Sequence, residues 1–313
     1  MAKIAALFPG QGSQVVGMGR DLAEHWPAAA GVFQTVDEGL QSPLSELCWN
    51  GPEEDLRLTE NTQPALLAHS AAAWAVLSAA GLEVDAVAGH SLGEYSAVVT
   101  AGGLGVADAA RTVQLRGRLM QQAVPVGEGA MAAVIGLDDE EVEAACRDEE
   151  ASGDGTVRAV NFNSPGQVVI AGSAAAVTGA GERLKARGAR RVLPLPVSAP
   201  FHSPLMAPAR EGLEPALLEL DFQPLAVPLY RNVDATQVSE ADEVRQGLIR
   251  QVDAPVLWSE IVRRMRADGF DTFVEVGTGN VLSGLVKRID REAVCYQAGT
   301  VETVEKVIAE LVG

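Results

Sequence analysis

The sequence predicts an α/β protein in which a large domain with a parallel central sheet carries a small inserted βαββαβ domain. Three observations lead to this prediction. Short apolar runs alternate with helical stretches in both terminal parts of the chain, which is typical of a parallel sheet. In the middle of the chain, strand and helix patterns follow a different order. The length of 313 residues also exceeds the usual size of a single domain.

The N-terminal part of the chain contains two predicted strands of the large sheet. Residues 3–9 form an apolar run that ends in a glycine-rich loop, and residues 85–91 form the second run. Between them, residues 63–80 are alanine-rich and predict a long buried helix. Two further helices are predicted near 93–100 and 106–123, so that strands and helices alternate.

The middle of the chain predicts a small domain of its own. Its elements are strands at 130–137, 157–164, 167–173 and 189–198 and helices at 138–150 and 174–188. The order βαββαβ is that of the ferredoxin-like split motif. Because this unit is self-contained, we expect residues 127–198 to form an insertion into a large domain made of residues 1–126 and 199–313.

Helix–strand alternation resumes after the insertion. The predicted elements are a helix around 204–220, a strand at 227–233, two helices through 243–268, a strand at 272–278, a helix at 280–289, a short strand and a C-terminal helix. This rhythm returns the chain to the parallel sheet of the large domain.

Composition excludes several classes of function. The 24 basic and 42 acidic side chains give a net charge of −18, which argues against a nucleic-acid partner. The three cysteines lie far apart, with no CxxC spacing, so neither a metal site nor a disulfide framework is expected. Polar residues interrupt the apolar stretch around 65–80, which favours a core helix over a membrane span. We therefore expect a cytoplasmic protein without a membrane partner.

The segment GHSLG, residues 89–93, matches the G-x-S-x-G pattern of a serine on a tight strand-to-helix turn. The glycines are needed because neighbouring backbone passes close to such a turn. The N–H after the serine then points to the place where an oxyanion would form. A strand-like run before Ser91 and a helix-like run after it favour a nucleophile, and an ordinary structural turn is the alternative.

A serine nucleophile needs a base, and the chain offers four histidines. His25 is typical of a surface residue, and His69 lies in the alanine-rich helix. His90 precedes Ser91 and is expected to point to the opposite sheet face. His202 lies between two prolines in VSAPFHSPLM, where the insertion returns to the large domain, and is the favoured base.

No acidic third member stands out in the sequence. Asp234 and Glu275 lie near predicted strand ends and are the weaker candidates. A backbone carbonyl could orient the imidazole instead, which would make the pair a dyad.

Two further segments could hold a substrate. Gln11, between two glycines after the first strand, could supply a second oxyanion N–H or belong to a plain turn. Val15 replaces the third glycine of a nucleotide fingerprint, so that motif is excluded. Arg116 and Met120 lie on one face of a helix, alongside Val113. A buried arginine requires an anion, which predicts a substrate carboxylate if that face borders Ser91.

Eight motifs in order along the chain resemble one family. They are FPGQGSQ, TQPAL, GHSLGEYSA, RGRLMQ, VNFNSPGQVVIAG, FHSPLM, RQVDAPVLW and EVGTGNVLSGLVKRI. Together they are similar to the malonyl-CoA:acyl-carrier-protein transacylases of fatty-acid synthesis and to the acyltransferase domains of polyketide synthases. The resemblance implies a hydrolase-like large domain and a ferredoxin-like small one.

The resemblance also implies roles for individual residues. By motif, Ser91 resembles the nucleophile, His202 the base, Leu92 and Gln11 the oxyanion donors, and Arg116 the holder of the malonyl carboxylate.

Gln251 resembles the residue whose main-chain carbonyl orients the histidine, which would account for the missing acid. Further positions resemble the pocket lining, namely Gln63, Met120 and Phe201, and contacts to the pantetheine arm, namely Asn161 and Asn163. Phe201 before the histidine is similar to the malonyl-selecting form of this loop.

The implied activity is transfer of a malonyl group from malonyl-CoA to acyl carrier protein through a malonyl-serine. The resemblance implies a monomer that needs no cofactor. Four alternatives remain open: a polyketide-pathway acyltransferase, another acyl specificity such as methylmalonyl, a serine thioesterase or esterase, and a non-catalytic binding scaffold.

Overall fold

The computed structural model describes residues 3–153, 155–197 and 199–313. Within these residues the strands form a six-stranded sheet and a four-stranded sheet. The strands are β1 (Lys3–Phe8), β2 (Ala86–Gly89), β3 (Gly129–Ile135), β4 (Val157–Ser164), β5 (Gln167–Ser173), β6 (Arg191–Pro194), β7 (Leu229–Tyr230), β8 (Gln237–Val238), β9 (Phe270–Val276) and β10 (Val294–Ala298).

Helices connect these strands and cover both sheets. They are α1 (Arg20–His25), α2 (Pro27–Leu40), α3 (Leu44–Asn50), α4 (Glu53–Leu56), α5 (Thr59–Ala79), α6 (Gly93–Thr100), α7 (Val106–Gln122), α8 (Asp139–Ser152), α9 (Ala174–Ala186), α10 (Ala207–Glu219), α11 (Ala241–Gln251), α12 (Trp258–Ala267), α13 (Val281–Ile289) and α14 (Val301–Leu311). A short 3₁₀ turn, Pro204–Met206, precedes α10.

The six-stranded sheet has the order β10-β9-β1-β2-β7-β8. All its pairs are parallel except that of β8, which runs antiparallel to β7 at the edge. The predicted parallel sheet is therefore confirmed. Its central strands β1 and β2 are buried on both faces, because apolar clusters lie on either side of the sheet. The carboxyl ends of these strands meet at one edge, where the loops after them converge.

The four-stranded sheet is antiparallel and has the order β4-β5-β3-β6. Its elements follow one another as strand, helix, two strands, helix and strand, as the sequence predicted. Helices α8 and α9 cover one face over a separate apolar core. The predicted strand at 189–198 is shorter, and its last residue, Ser198, lies outside the described residues.

Several elements differ from the prediction. Residues 27–56 form three helices that the sequence analysis did not predict, and α5 begins at Thr59, before the predicted start. Pro64 is the sixth residue of α5 and lies inside the helix, where a proline removes one i→i−4 backbone hydrogen bond. The predicted strand at 227–233 consists of β7 alone. Within the part of the chain that the structure describes, no helix is both long and apolar enough to cross a membrane.

Candidate active site

Ser91 lies on a sharp turn between β2 and α6, at the carboxyl end of the parallel sheet. Its φ of 52° falls in the left-handed region, which is costly for a residue other than glycine. The flanking glycines make this turn possible. A Cβ on Gly89 would lie 1.9 Å from the backbone of Gly93, and a Cβ on Gly93 would lie 2.0 Å from the carbonyl oxygen of Phe8. The sequence adopts this turn because both positions lack a side chain.

Ser91, His202 and Gln251 form a hydrogen-bonded chain. The Oγ of Ser91 lies 2.6 Å from Nε2 of His202, and Nδ1 of His202 lies 2.9 Å from the main-chain oxygen of Gln251. A carbonyl oxygen can only accept, so Nδ1 carries the hydrogen and Nε2 is free to accept from the hydroxyl. Burial and the Arg116 charge lower the pKa of His202 to about 3, against the opposing effect of the Gln251 carbonyl. The imidazole is therefore neutral and able to take a proton.

The guanidinium of Arg116 lies beside this chain, on the buried face of α7. Nη1 donates to Oε1 of Gln63 at 2.7 Å, and Nη2 donates to Oε1 of Gln251 at 2.8 Å and to Oγ of Ser91 at 3.2 Å. These acceptors are neutral, although the charge is 98% buried. Burial accordingly lowers the pKa of Arg116. A buried cation held by neutral groups is suited to receive an anionic ligand.

Two backbone N–H groups are available near the Ser91 hydroxyl. Leu92 precedes the first residue of α6, and Gln11 lies in the turn after β1. Among the described residues neither N–H has a hydrogen-bond acceptor. Both residues line the same cavity as Ser91. Two donors without acceptors on one cavity are suited to stabilise an oxyanion.

One open cavity joins these groups. Nine predicted site residues line it: Gln11, Gln63, Ser91, Leu92, Arg116, Met120, Asn161, Phe201 and His202. Gln251 lies behind the cavity, fully buried. A second cavity shares part of this wall and also contacts Asn163. All eleven predicted site residues therefore lie in or beside one region of the molecule.

Sequence analysis missed part of the cavity wall. Met131, Leu195 and Val197, from the four-stranded sheet and the segment after it, line the cavity, and so does His90. The expectation that His90 points away from the site is wrong. His90 follows the end of β2, and its Nε2 lies 2.8 Å from Oδ1 of Asn163. The strict alternation of strand side chains no longer applies at this turn.

Two buried polar residues that the sequence analysis also missed support the turn. Asn232 accepts the N–H of Ser91 at 2.7 Å and donates to the carbonyl of Gly89 at 2.7 Å. Glu94 accepts from the side chain of Gln251 at 2.8 Å. Asn232 follows the end of β7, and Glu94 lies in the first turn of α6. Their only sequence signal is a polar residue beside an apolar run.

The weaker acidic candidates do not contact His202. Asp234 forms an ion pair with Arg231, and Glu275 accepts from the backbone N–H groups of Leu282 and Ser283 at the start of α13. Across residues 3–153, 155–197 and 199–313, no cluster of His, Cys, Asp and Glu could hold a metal ion.

Comparison with known proteins gives consistent results. A family model described as the acyl transferase domain matches residues 6–306. A malonyl CoA-acyl carrier protein transacylase of Bacillus subtilis (strain 168) is 46% identical over 311 residues, which cover 99% of this chain and 98% of that protein. The transacylase of the same name from Escherichia coli (strain K12) is 49% identical over 290 residues, which cover 92% and 93% of the two chains.

Solved structures agree with these relatives. An acyl carrier protein S-malonyltransferase from Vibrio cholerae is 48% identical and superposes with a TM-score of 0.95, covering 98% of this chain and all of that one. A malonyl-transacylase in complex with a type II PKS acyl-carrier protein is 44% identical, with a TM-score of 0.95 and coverage of 98% and 99%. The chain therefore belongs to the acyl transferase family, among its malonyl CoA-acyl carrier protein transacylases.

Proposed function

We propose that this protein transfers a malonyl group from malonyl-CoA to the phosphopantetheine thiol of acyl carrier protein through a malonyl-serine intermediate, in fatty-acid synthesis. The names of its relatives support this reaction. The observation that carries it is the approach of three groups to one point. Oγ of Ser91 lies 2.6 Å from the imidazole of His202 and 3.2 Å from the guanidinium of Arg116. A nucleophile, a base and a carboxylate-binding cation therefore border one cavity.

The first half-reaction acylates the serine. As Oγ of Ser91 attacks the thioester carbonyl, Nε2 of His202 takes the hydroxyl proton. The tetrahedral oxyanion then accepts from the N–H groups of Leu92 and Gln11, and each such donor is worth about 3 kcal/mol in the transition state. The C–S bond breaks, His202 returns the proton to the CoA sulfur, and a malonyl ester remains on Ser91. The Gln251 carbonyl holds the imidazole in the required orientation.

The second half-reaction runs the same steps in reverse with a new thiol. His202 takes the proton of the carrier-protein thiol, the sulfur attacks the serine ester, and the hydroxyl of Ser91 is restored. Asn161 lines both cavities, which supports contacts from it and Asn163 to the pantetheine arm. Because the two substrates use the same serine in turn, ping-pong kinetics are expected.

Arg116 accounts for the choice of malonyl over acetyl. The malonyl carboxylate is separated from the thioester carbonyl by one methylene, so it lies within reach of a guanidinium beside Oγ. It would replace a weak neutral contact with a charge-assisted, bidentate one. An acetyl group leaves the buried cation with its neutral partners. Gln63, Met120 and Phe201 complete the wall around this part of the cavity.

The finer description of the fold is part of the proposal. The strand order β4-β5-β3-β6 and the two covering helices support a ferredoxin-like domain at 127–198, inserted into a hydrolase-like domain of residues 1–126 and 199–313. The serine turn at the end of a parallel strand supports the hydrolase-like assignment. The monomeric state, the cytoplasmic location and the lack of a cofactor requirement stay predictions.

Intact mass after mixing with malonyl-CoA tests the proposed function. We expect a malonyl adduct on the wild-type protein that is lost on adding a reduced phosphopantetheinyl carrier protein, with malonyl appearing on the carrier. Ser91→Ala should form no adduct. Rapid release of free malonate without a carrier would instead identify a thioesterase, and an equal yield with methylmalonyl-CoA would reject the malonyl assignment. Activity with only a polyketide-type carrier would reject the fatty-acid assignment.

A further inference from the structure

The carboxyl group of Glu94 is fully buried beside the active site, and the proposed reaction does not use it. Its Oε2 accepts from Nε2 of Gln251 at 2.8 Å and from the N–H of Asn232 at 3.2 Å. Its Oε1 is buried and has no partner among the described residues. Burying a carboxyl group costs free energy, so a carboxyl at this position is expected to have a structural role.

The contacts of Gln251 indicate that role. Its Nε2 donates to Glu94 and also to the carbonyl oxygen of Ser91 at 2.8 Å. Its Oε1 accepts from Nη2 of Arg116 at 2.8 Å. The side-chain amide could be rotated by half a turn, since its two ends are nearly the same in shape. The rotated amide would place N–H groups against the guanidinium and an oxygen against two acceptors. Glu94 and the Ser91 carbonyl therefore select the observed orientation.

We propose that Glu94 is a positioning residue for malonyl recognition: it fixes the Gln251 amide, which in turn aims the guanidinium of Arg116 at the substrate carboxylate. This inference rests on the proposed function. The chain of contacts from Glu94 to Gln251 to Arg116 to Oγ of Ser91 is continuous. Because Arg116 also donates to Gln63 on its other side, the two amide oxygens together define the plane of the guanidinium.

Hydrogen bonding explains this role better than charge. Burial raises the pKa of Glu94 to about 7, so near neutral pH the group is only partly ionised. A proton on Oε1, the oxygen without a partner, leaves Oε2 free to accept from Gln251. The contact that orients the amide therefore survives in both protonation states. If Glu94 acted instead by neutralising the Arg116 charge, that effect would be lost whenever Glu94 is protonated.

Three substitutions of Glu94 separate hydrogen bonding from charge. Glu94→Gln removes the charge but keeps an oxygen that can accept from Gln251. Glu94→Asp keeps the charge but withdraws it by one methylene, and Glu94→Leu removes both. We expect the Asp and Leu variants to lower the malonyl-to-acetyl ratio of kcat/KM about tenfold, the effect of one charge-assisted contact. The Gln variant should retain most of the wild-type ratio.

The loss of activity in the Glu94 variants should be larger with malonyl-CoA than with acetyl-CoA. Because acetyl-CoA does not use Arg116, we expect Glu94→Asp to raise KM for malonyl-CoA and to slow acetylation of Ser91 much less than malonylation. In an Arg116→Ala background the same change should have no further effect on the ratio. Glu275→Asp is a matched control, since Glu275 is also fully buried but accepts the backbone N–H groups of Leu282 and Ser283 instead of bonding Gln251. It should lower the unfolding temperature without altering the ratio.

Several outcomes would overturn the proposal. They are an unchanged ratio in Glu94→Asp, an equal loss with both substrates, or a loss in Glu94→Gln as large as in Glu94→Leu. If the Leu variant does not fold, the Asp and Gln pair gives the answer alone. A wild-type protein that forms no malonyl-serine would refute the proposed function itself, which is a distinct result.

Discussion

The two sheets contribute differently to the same cavity. Residues 1–126 and 199–313, which include the six-stranded sheet and the helices around it, carry Ser91, Arg116 and His202, the groups to which the reaction is assigned. The four-stranded sheet and the segment after it contribute Met131 and Leu195, which are apolar and form wall. This difference shows that the residues that react and the residues that enclose the substrate have different structural requirements. The reactive residues are held by strained backbone and buried polar contacts, whereas the apolar lining residues only need to fit the outline of the cavity.

The backbone conformation also differs between the reactive residues and the four-stranded sheet. Ser91 and His202 both have φ in the left-handed region, at 52° and 63°, and both are joined to the buried Gln251. Such conformations persist only where the surrounding contacts hold them. The strands β3, β5 and β6 instead pair in a regular antiparallel register. Substitutions in the two regions should therefore change different kinetic constants.

The largest effect should come from His202→Gln, which removes the base from the chemical side of the comparison. Loss of a general base is expected to slow acylation of Ser91 about a thousandfold. Rapid-quench measurement of the malonyl-enzyme in a single turnover gives this rate. His69→Gln is the matched control, because His69 is equally buried but contacts the backbone of Gly299. A His202 variant within tenfold of wild type would contradict the assignment.

Crowding at the serine turn should produce the next largest effect, on stability. Gly93→Ala places a Cβ 2.0 Å from the backbone of Phe8, so we expect a loss of about 3 kcal/mol in the free energy of unfolding. Gly284→Ala meets nothing within 4 Å on an exposed face of α13 and should gain up to about 1 kcal/mol. Urea denaturation of both variants checks this contrast. Similar midpoints would show that the turn is not tight.

The wall side of the comparison should give a smaller effect. Leu195→Ala removes apolar contact from the cavity, so KM for malonyl-CoA should rise about threefold while kcat stays the same. Leu193→Ala, two residues earlier at an exposed position of β6, should leave both constants unchanged. Steady-state kinetics decide the point. A fall in kcat for Leu195→Ala would mean that the wall also positions reacting groups.

Lowering the pH should have the smallest effect on the rate of Ser91 acylation. Because the pKa of His202 is lowered well below 6.5, the base stays neutral, and kcat/KM should vary less than twofold from about pH 7.5 to about pH 5.5. A sigmoid fall centred near pH 6.5 would show an ordinary imidazole. The same shift acts on folding. Below pH 6.5 the His202 imidazole binds a proton in the unfolded chain but not in the folded state. The free energy of unfolding therefore decreases as the pH falls below 6.5.

The sequence predicted those parts of the molecule that local pattern determines. The strands β1 and β2, the long helix α5 and the order of the four-stranded unit follow from apolar runs and helical periodicity. The serine turn followed from its two glycines. The helices at 27–56 lay in a segment that the strand–helix alternation did not describe. The edge strand β8 is only two residues long and is held by its pairing with β7.

The site residues that escaped prediction are those whose roles depend on distant contacts. Asn232 meets Ser91 from 141 positions away, and Gln251 meets Glu94 from 157 positions away. No spacing rule connects such positions, because only the folded sheet brings their loops together. Arg116 could be placed on a helix face from spacing alone, but its position beside the serine came from the resemblance. The roles of Met131 and Leu195 in the wall depend on how the two sheets face one another.

The central claim is that the Arg116 guanidinium stands where a malonyl carboxylate would reach it from Ser91. Single-turnover acylation of Arg116→Ala by malonyl-CoA and acetyl-CoA tests this most directly, with Arg118→Ala, an exposed neighbour on α7, as control. We predict that the malonyl-to-acetyl rate ratio falls at least about a hundredfold in Arg116→Ala and stays unchanged in Arg118→Ala. A wild-type ratio in Arg116→Ala would contradict the account.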